Sequence, residues 1–254
     1  MLLILSPSKT MDSVSPVSSS MSTIPENLAL SERLARLLKK KSQTELSSLM
    51  KIKPALAQRT FENFQQWQTP FNKENAKAAA FTYSGEVFNG LQIESFKETD
   101  LSYSQDHLRI LSGLYGSLKP MDLIQPYRLE MAANLSLGGA NNLYQYWKPE
   151  ITKAIKSALN KQGDNLLINL ASNEYSKCID RKTLSANIIQ PVFKEFKNEK
   201  PQIITMYAKK ARGMMANFLL RNKINSIEHL KQFNEAGYYY DDRLSTETEI
   251  VFTR

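Results

Sequence analysis

The sequence predicts an α/β fold: a mixed β-sheet core flanked by helices, with an inserted all-α lobe at residues 25–80 that contains a helix-hairpin-helix-like element. Three observations predict it. Short apolar runs at 2–5 (LLIL), 108–111 (LRIL) and 166–170 (LLINL) read as strands buried on both faces. Amphipathic stretches of helical spacing separate them, as they do where connections cross a sheet face. Between 25 and 80 only helical patterns occur. The 254 residues are enough for a single α/β domain spanning 1–254, with the helical lobe inside it.

Taken in order, the first strand runs into 6–12 (SPSKTMD) and a loop rich in Ser and Pro up to Pro25, too polar to pack as an element. A helix is expected at 25–41 from the spacing of Leu28, Leu30, Leu34, Leu37 and Leu38. Leu46, Leu49 and Met50 mark a second helix. Pro54 suits the first position of a third, which carries Leu56, Thr60, Phe61, Phe64 and Trp67. Only Lys51, Ile52 and Lys53 lie between these two, so the turn is tight and the apolar faces pack together. Residues 72–80 read as a further helix with Asn72 as N-cap, and 81–91 as a tight turn within an aromatic cluster.

Downstream, a helix at 100–107 and a strand at 108–112 precede a long helix at 142–159. A turn at 163–165 leads to the strand at 166–170. Strands are expected at 192–196 and 202–207 around a turn at 198–200. A strand-to-helix change over 205–222 and closing strands at 237–240 and 249–252 complete the chain.

Charge points to a class of partner. Lys and Arg number 33 against 25 Asp and Glu, a net charge of +8, which favours polyanionic or phosphate-bearing ligands. Two histidines and one cysteine argue against a soft-ligand metal site and against an internal disulfide, so neither metal nor cofactor is expected. His107 and His229 read as structural. No apolar run approaches the roughly 20 residues of a membrane span. The start has no basic n-region and reads as a strand rather than a signal peptide, and the lone Cys178 fits a reducing cytoplasm.

Two groups of residues could carry chemistry. The first is basic. Arg36, Lys39, Lys40, Lys51, Lys53 and Arg59 crowd the hairpin, and Lys209, Lys210 and Arg212 occupy the expected strand-to-helix junction. The hairpin (LSSLMKIKPALA) resembles a helix-hairpin-helix, a module that binds DNA without reading sequence through backbone N–H groups on a phosphate. Lys51 and Lys53 stand where that module places glycines. A left-handed conformation at either would cost roughly 1–2 kcal/mol. The plainer reading is an αα-hairpin with a solvated basic rim.

The second group follows the strands: Ser6, Ser8 and Lys9; Gly113, Tyr115 and Gly116; Asn169, Ser172, Asn173 and Glu174. If the three strands are parallel neighbours, these loops converge on one crevice suited to a nucleotide, phosphate or nucleobase. Glu174 would then be a catalytic acid or base and Lys9 a phosphate anchor. Alternatively Glu174 only faces a helix N-terminus capped by Ser172 or Asn173. The residues thus leave two functions open: a DNA binder reading backbone and shape, or an enzyme acting on a nucleotide or nucleobase.

The runs at 3–12, 108–131 (LRILSGLYGSLKPMDLIQPYRLEM), 142–147, 163–175 (GDNLLINLASNEY), 207–218 (YAKKARGMMANF) and 233–240 resemble, in order, the YaaA family of bacterial peroxide-stress proteins. The resemblance implies an α/β protein with a helix-hairpin-helix-like element and a positive cleft suited to duplex or distorted DNA. It also implies a cytoplasmic part in the hydrogen peroxide response, limiting unincorporated iron and thereby oxidative DNA damage. It implies no settled enzymatic activity.

Overall fold

A computed structural model of the chain describes every residue except Glu199. Eight strands form one mixed sheet: β1 (Leu2–Leu5), β2 (Leu108–Ser112), β3 (Gly116–Leu118), β4 (Leu166–Asn169), β5 (Asn187–Lys197), β6 (Lys200–Gln202), β7 (Tyr239–Tyr240) and β8 (Glu249–Thr253). Their order is β7-β8-β5-β4-β1-β2-β3, with β6 paired to β5. The centre is parallel: Leu3 of β1 lies opposite Leu108 of β2 on one side and Ile168 of β4 on the other. The three apolar runs are therefore adjacent, and β1 is the middle strand. Its four residues are all buried, and two long helices, α6 (Leu143–Gln162) and α7 (Thr205–Arg221), pack on it. Antiparallel pairs at β2–β3, β5–β6 and β7–β8 make the sheet mixed.

Three helices follow the Ser/Pro loop: α1 (Leu28–Lys39), α2 (Gln43–Met50) and α3 (Pro54–Gln66). A capping box fixes the start of α2, with Ser42 Oγ accepting from the Glu45 N–H at 3.2 Å and the Glu45 carboxylate from the Ser42 N–H at 2.7 Å. Pro54 takes the first position of α3. Leu34, Ala35 and Leu38 of α1, Leu46 and Met50 of α2, and Ala57, Thr60 and Phe64 of α3 are the buried faces. Helices α4 (Glu86–Leu91) and α5 (Glu98–His107) lie between these and β2. Backbones of α4 and α7 touch where they cross: a Cβ on Gly213 would sit 1.8 Å from the Val87 carbonyl oxygen, and one on Gly90 2.1 Å from that of Lys210.

Two expected elements differ. The helix at 72–80 is absent. Asn72 Oδ1 accepts the N–H groups of Glu74 and Asn75, closing a turn that competes with helix. The chain then enters a two-residue strand, Lys77–Ala78, paired with Leu123–Ile124, before a four-residue helix, Ala79–Thr82. Likewise 203–207 is not strand, because β6 ends at Gln202 and α7 begins at Thr205. Strand β5 starts earlier than expected, at Asn187. The turn expected at 198–200 includes Glu199, which lies outside the described residues. The aromatic cluster at 81–91 is present, with Tyr83 centred 5.3 Å from Phe88 and 6.5 Å from Tyr127.

Candidate nucleic-acid interface and the cavity beside it

Helices α2 and α3 meet through Lys51, Ile52 and Lys53. Lys51 is left-handed (φ 52°), and its N–H bonds to the Ser48 carbonyl while that of Ile52 bonds to Ser47. This is the helix ending in which glycine is the usual left-handed residue. Lys53, at φ −67°, is extended and needs no glycine. One of the two lysines is therefore strained, and both are exposed. Arg36 pairs with Glu32 at 2.8 Å. Lys39, Lys40, Lys51, Lys53 and Arg59 have no carboxylate within ion-pair distance among the described residues. Trp67, Tyr83 and Phe88 are buried and present no ring for a base to stack on.

The loops at the strand ends hydrogen-bond to one another and to the segment 127–133. Ser6 Oγ accepts the Ser172 N–H at 2.8 Å, tying the loop after β1 to the loop after β4. Asn169 is buried, its Oδ1 accepting from the Ala171 N–H at 3.1 Å. Over the loop after β2 lies the segment 127–133. The Tyr127 and Ser112 hydroxyls are 2.7 Å apart, and a Cβ on Gly113 would meet the Leu129 carbonyl oxygen at 2.3 Å. Gly113, Tyr115 and Gly116 are buried, and Gly116, at φ 72°, packs against the Trp147 ring. Glu174 Oε1 accepts the Ala132 N–H at 3.2 Å, so this carboxylate fastens the strap. Ser8 bonds the Ser84 carbonyl through its hydroxyl, and Asn173 is exposed at the start of a four-residue helix. Above Gly113 the space over the sheet is thus taken by the backbone of Leu129.

Open space lies to one side of these loops, one of several cavities in the molecule. A cavity of about 520 Å³ is bounded by 9–14 after β1, by Leu56, Arg59, Thr60 and Asn63 of α3, and by 126–128. Lys9 and Arg59, drawn from the two separate groups, line it together. Arg128 joins them. The Asp12 carboxyl is held well below the usual carboxylate range by hydrogen bonds from Ser15 and the Val14 backbone. Sequence reasoning missed Arg128 and Glu130. Burial alternates from 127 to 131: Tyr127, Leu129 and Met131 are buried, whereas Arg128 and Glu130 are only partly so. That period of two is visible in the residues, without a partner strand among the described residues to explain it.

Lys209 and Lys210 are exposed and Arg212 is half-buried, none of them lining the cavity. Because α7 starts at Thr205, the two lysines stand beyond its first turn, where backbone N–H groups are no longer free for a phosphate. Burial lowers the Arg212 pKa. Cys178 is fully buried, and desolvation pushes its thiol up to about 12. Among the described residues no helix is long and apolar enough to cross a membrane.

The family described as "Peroxide stress protein YaaA" matches residues 1–244. A relative named "UPF0246 protein", from Aliivibrio fischeri, is 44% identical over 254 residues, which is all of this chain and 98% of that protein. With nearly the whole length matched in one case and all of it in the other, the chain belongs to the YaaA family of peroxide stress proteins.

Proposed function

We propose that the protein binds duplex or distorted DNA in the cytoplasm without reading its sequence, and so shields DNA during peroxide stress. The observation that carries this is the exposed rim of Lys51, Lys53 and Arg59, unpaired with carboxylates among the described residues, with Arg59 also lining a cavity to which Lys9 and Arg128 contribute. Such a surface suits the regular negative charge of a phosphate backbone and carries no base-reading groups. Any limitation of unincorporated iron would follow indirectly, since the rim offers ammonium and guanidinium groups rather than metal ligands. The enzyme reading places Lys9 at the cavity but leaves Glu174 fastening the strap.

The test is affinity for a short duplex across salt. Log affinity should fall linearly with log salt, at about 0.9 per phosphate neutralised. Replacing Lys51 and Lys53 together by Glu should flatten that slope by about two. The control is Lys161→Glu, near the end of α6, beside the N-terminal ends of the strands. Affinity independent of salt, or a double variant no weaker than the control, would refute the proposal.

A further inference from the structure

Charge around the cavity is unbalanced. Lys9 Nζ lies 3.0 Å from one Glu130 oxygen and Arg128 Nη2 2.9 Å from the other, so a single carboxylate serves two cations. Arg59 on the facing wall has no carboxylate partner among the described residues. Asp12 and Lys77, 3.7 Å apart, offset each other. Three cations against one carboxylate leave an excess of two positive charges. A second, independent sign is Arg128 Nε, which is buried and has no hydrogen-bond partner among the described residues. Glu130 reaches only the Nη2 edge of the guanidinium because its other oxygen is held by Lys9.

We propose that this cavity seats a nucleotide through a terminal phosphate monoester, which takes the place of the Glu130 carboxylate between Lys9 and Arg128. Geometry favours the exchange. A tetrahedral phosphate can place two oxygens on the Nε and Nη2 fork of Arg128 and a third toward Lys9, whereas a planar carboxylate shared with Lys9 uses one edge alone. Charge favours it as well. A phosphate monoester bears about −1.5 to −2 near neutral pH, matching the excess, while an internal phosphodiester bears one charge and gains little over Glu130. Space allows more than a phosphate. About 520 Å³ falls within the roughly 300–1,000 Å³ of small-ligand sites, and Met11, Leu56 and Tyr127 supply apolar wall for sugar and base. The ligand's phosphate could come from a free mononucleotide or from a 5′-phosphorylated strand end; only the second source rests on the DNA-binding reading.

The experiment uses the full chain. Calorimetry with a deoxynucleoside 5′-monophosphate and with its nucleoside is paired with anisotropy on one duplex carrying either a 5′-phosphate or a 5′-hydroxyl. The expected result is binding of the monophosphate but not the nucleoside, or a preference of about tenfold for the phosphorylated end, a difference of about 1.4 kcal/mol. Glu130→Gln should tighten whichever binding is seen, and Arg128→Gln should abolish it. Arg59→Gln should weaken it, and because Arg59 is exposed this variant leaves folding intact. No discrimination in either pair, no change with Arg59→Gln, or weaker binding with Glu130→Gln would each overturn the seat. The two readings fail separately. A duplex bound equally with either end, with the monophosphate ignored, removes the seat and keeps the backbone binder. A monophosphate bound by a chain that ignores duplex does the reverse.

Discussion

The strand-end loops and the α2–α3 hairpin carry similar residues, small, polar or basic groups at the ends of regular elements, and the fold treats them in opposite ways. The strand-end loops are turned inward. Ser6 bonds the Ser172 backbone, Gly113 lies under Leu129, and Glu174 holds Ala132. The hairpin is turned outward, with Lys51 and Lys53 exposed, although Lys51 occupies a conformation that costs a side chain energy. Polar residues after parallel strands often line a ligand site. Here Glu174 fastens a strap, and an open cavity lies where the strap meets α3.

The sharpest way to break this comparison is to enlarge Gly113. A Cβ there would lie 2.3 Å from the Leu129 carbonyl oxygen, a backbone atom with little freedom to move. Gly113→Ala should destabilise the protein by about 3 kcal/mol, at the upper end of overpacking costs. Denaturant unfolding measures this. A loss below 1 kcal/mol would mean that the strap lifts easily and that the strand-end crevice can open.

Lys51→Gly tests the other region, and its stability and function should move in opposite directions. Relief of the left-handed strain should raise stability by about 1 kcal/mol. Duplex affinity should fall, since one phosphate contact goes. A variant that gained stability and lost no affinity would show Lys51 to be only a helix end. The same pair of measurements on Lys53→Gly should show no stability gain, because Lys53 is already extended.

This contrast also marks what could be read from the residues. The apolar runs of β1, β2 and β4 declared themselves because a strand buried on both faces has no polar alternation to confuse. The hairpin was legible because Pro54 and the spacing of Leu46, Leu49 and Met50 are local signals. Asn72 misled because the same side chain caps a helix or closes a turn, and only the pairing of Lys77–Ala78 with Leu123–Ile124 decides between them. The candidate site is half legible. Lys9 and Arg59 both stand out in the residues, but for different places, and their shared cavity depends on how α3 packs beside the loop after β1. Arg128 and Glu130 escaped because residues 127–133 alternate in burial like a strand while pairing with none among the described residues.

A smaller effect is expected at the opposite ends of the strands, where His107 is half-buried, stacks on Tyr103 at 3.8 Å and contacts the Met1 carbonyl through Nδ1 at 2.8 Å. Desolvation lowers its pKa from 6.5, outweighing the hydrogen bond to Met1; the N-terminal ammonium and Arg109 push the same way, and Asp106 opposes. The unfolded chain therefore binds the proton more readily. The contribution of His107 to stability is complete above about pH 6.5 and is lost as pH falls below it toward the folded value. Partial exposure keeps the effect small. His107→Gln should flatten the stability profile between pH 7 and 5. An unchanged profile would show that the imidazole titrates alike in both states.

The smallest expected effect is none at all, and it concerns the closed region. Cys178 follows the loop after β4, and its position next to Lys177 in a peroxide stress protein invites a role as a sensor. The fold argues otherwise. Lys177 is exposed, the favourable charge at the thiol comes from Lys148, and it is outweighed by burial, which raises the thiol to about 12. Peroxide reacts with the thiolate, which this burial makes scarce at neutral pH. No second cysteine exists in the chain to resolve a sulfenic acid. Cys178→Ala, chosen because a buried serine hydroxyl would need a partner, should protect cells from peroxide as well as the parent does. Alkylation of the native thiol should be far slower than after unfolding. A folded Cys178→Ala protein that failed to protect, or a native thiol as reactive as the unfolded one, would show that the strand-end region opens in solution.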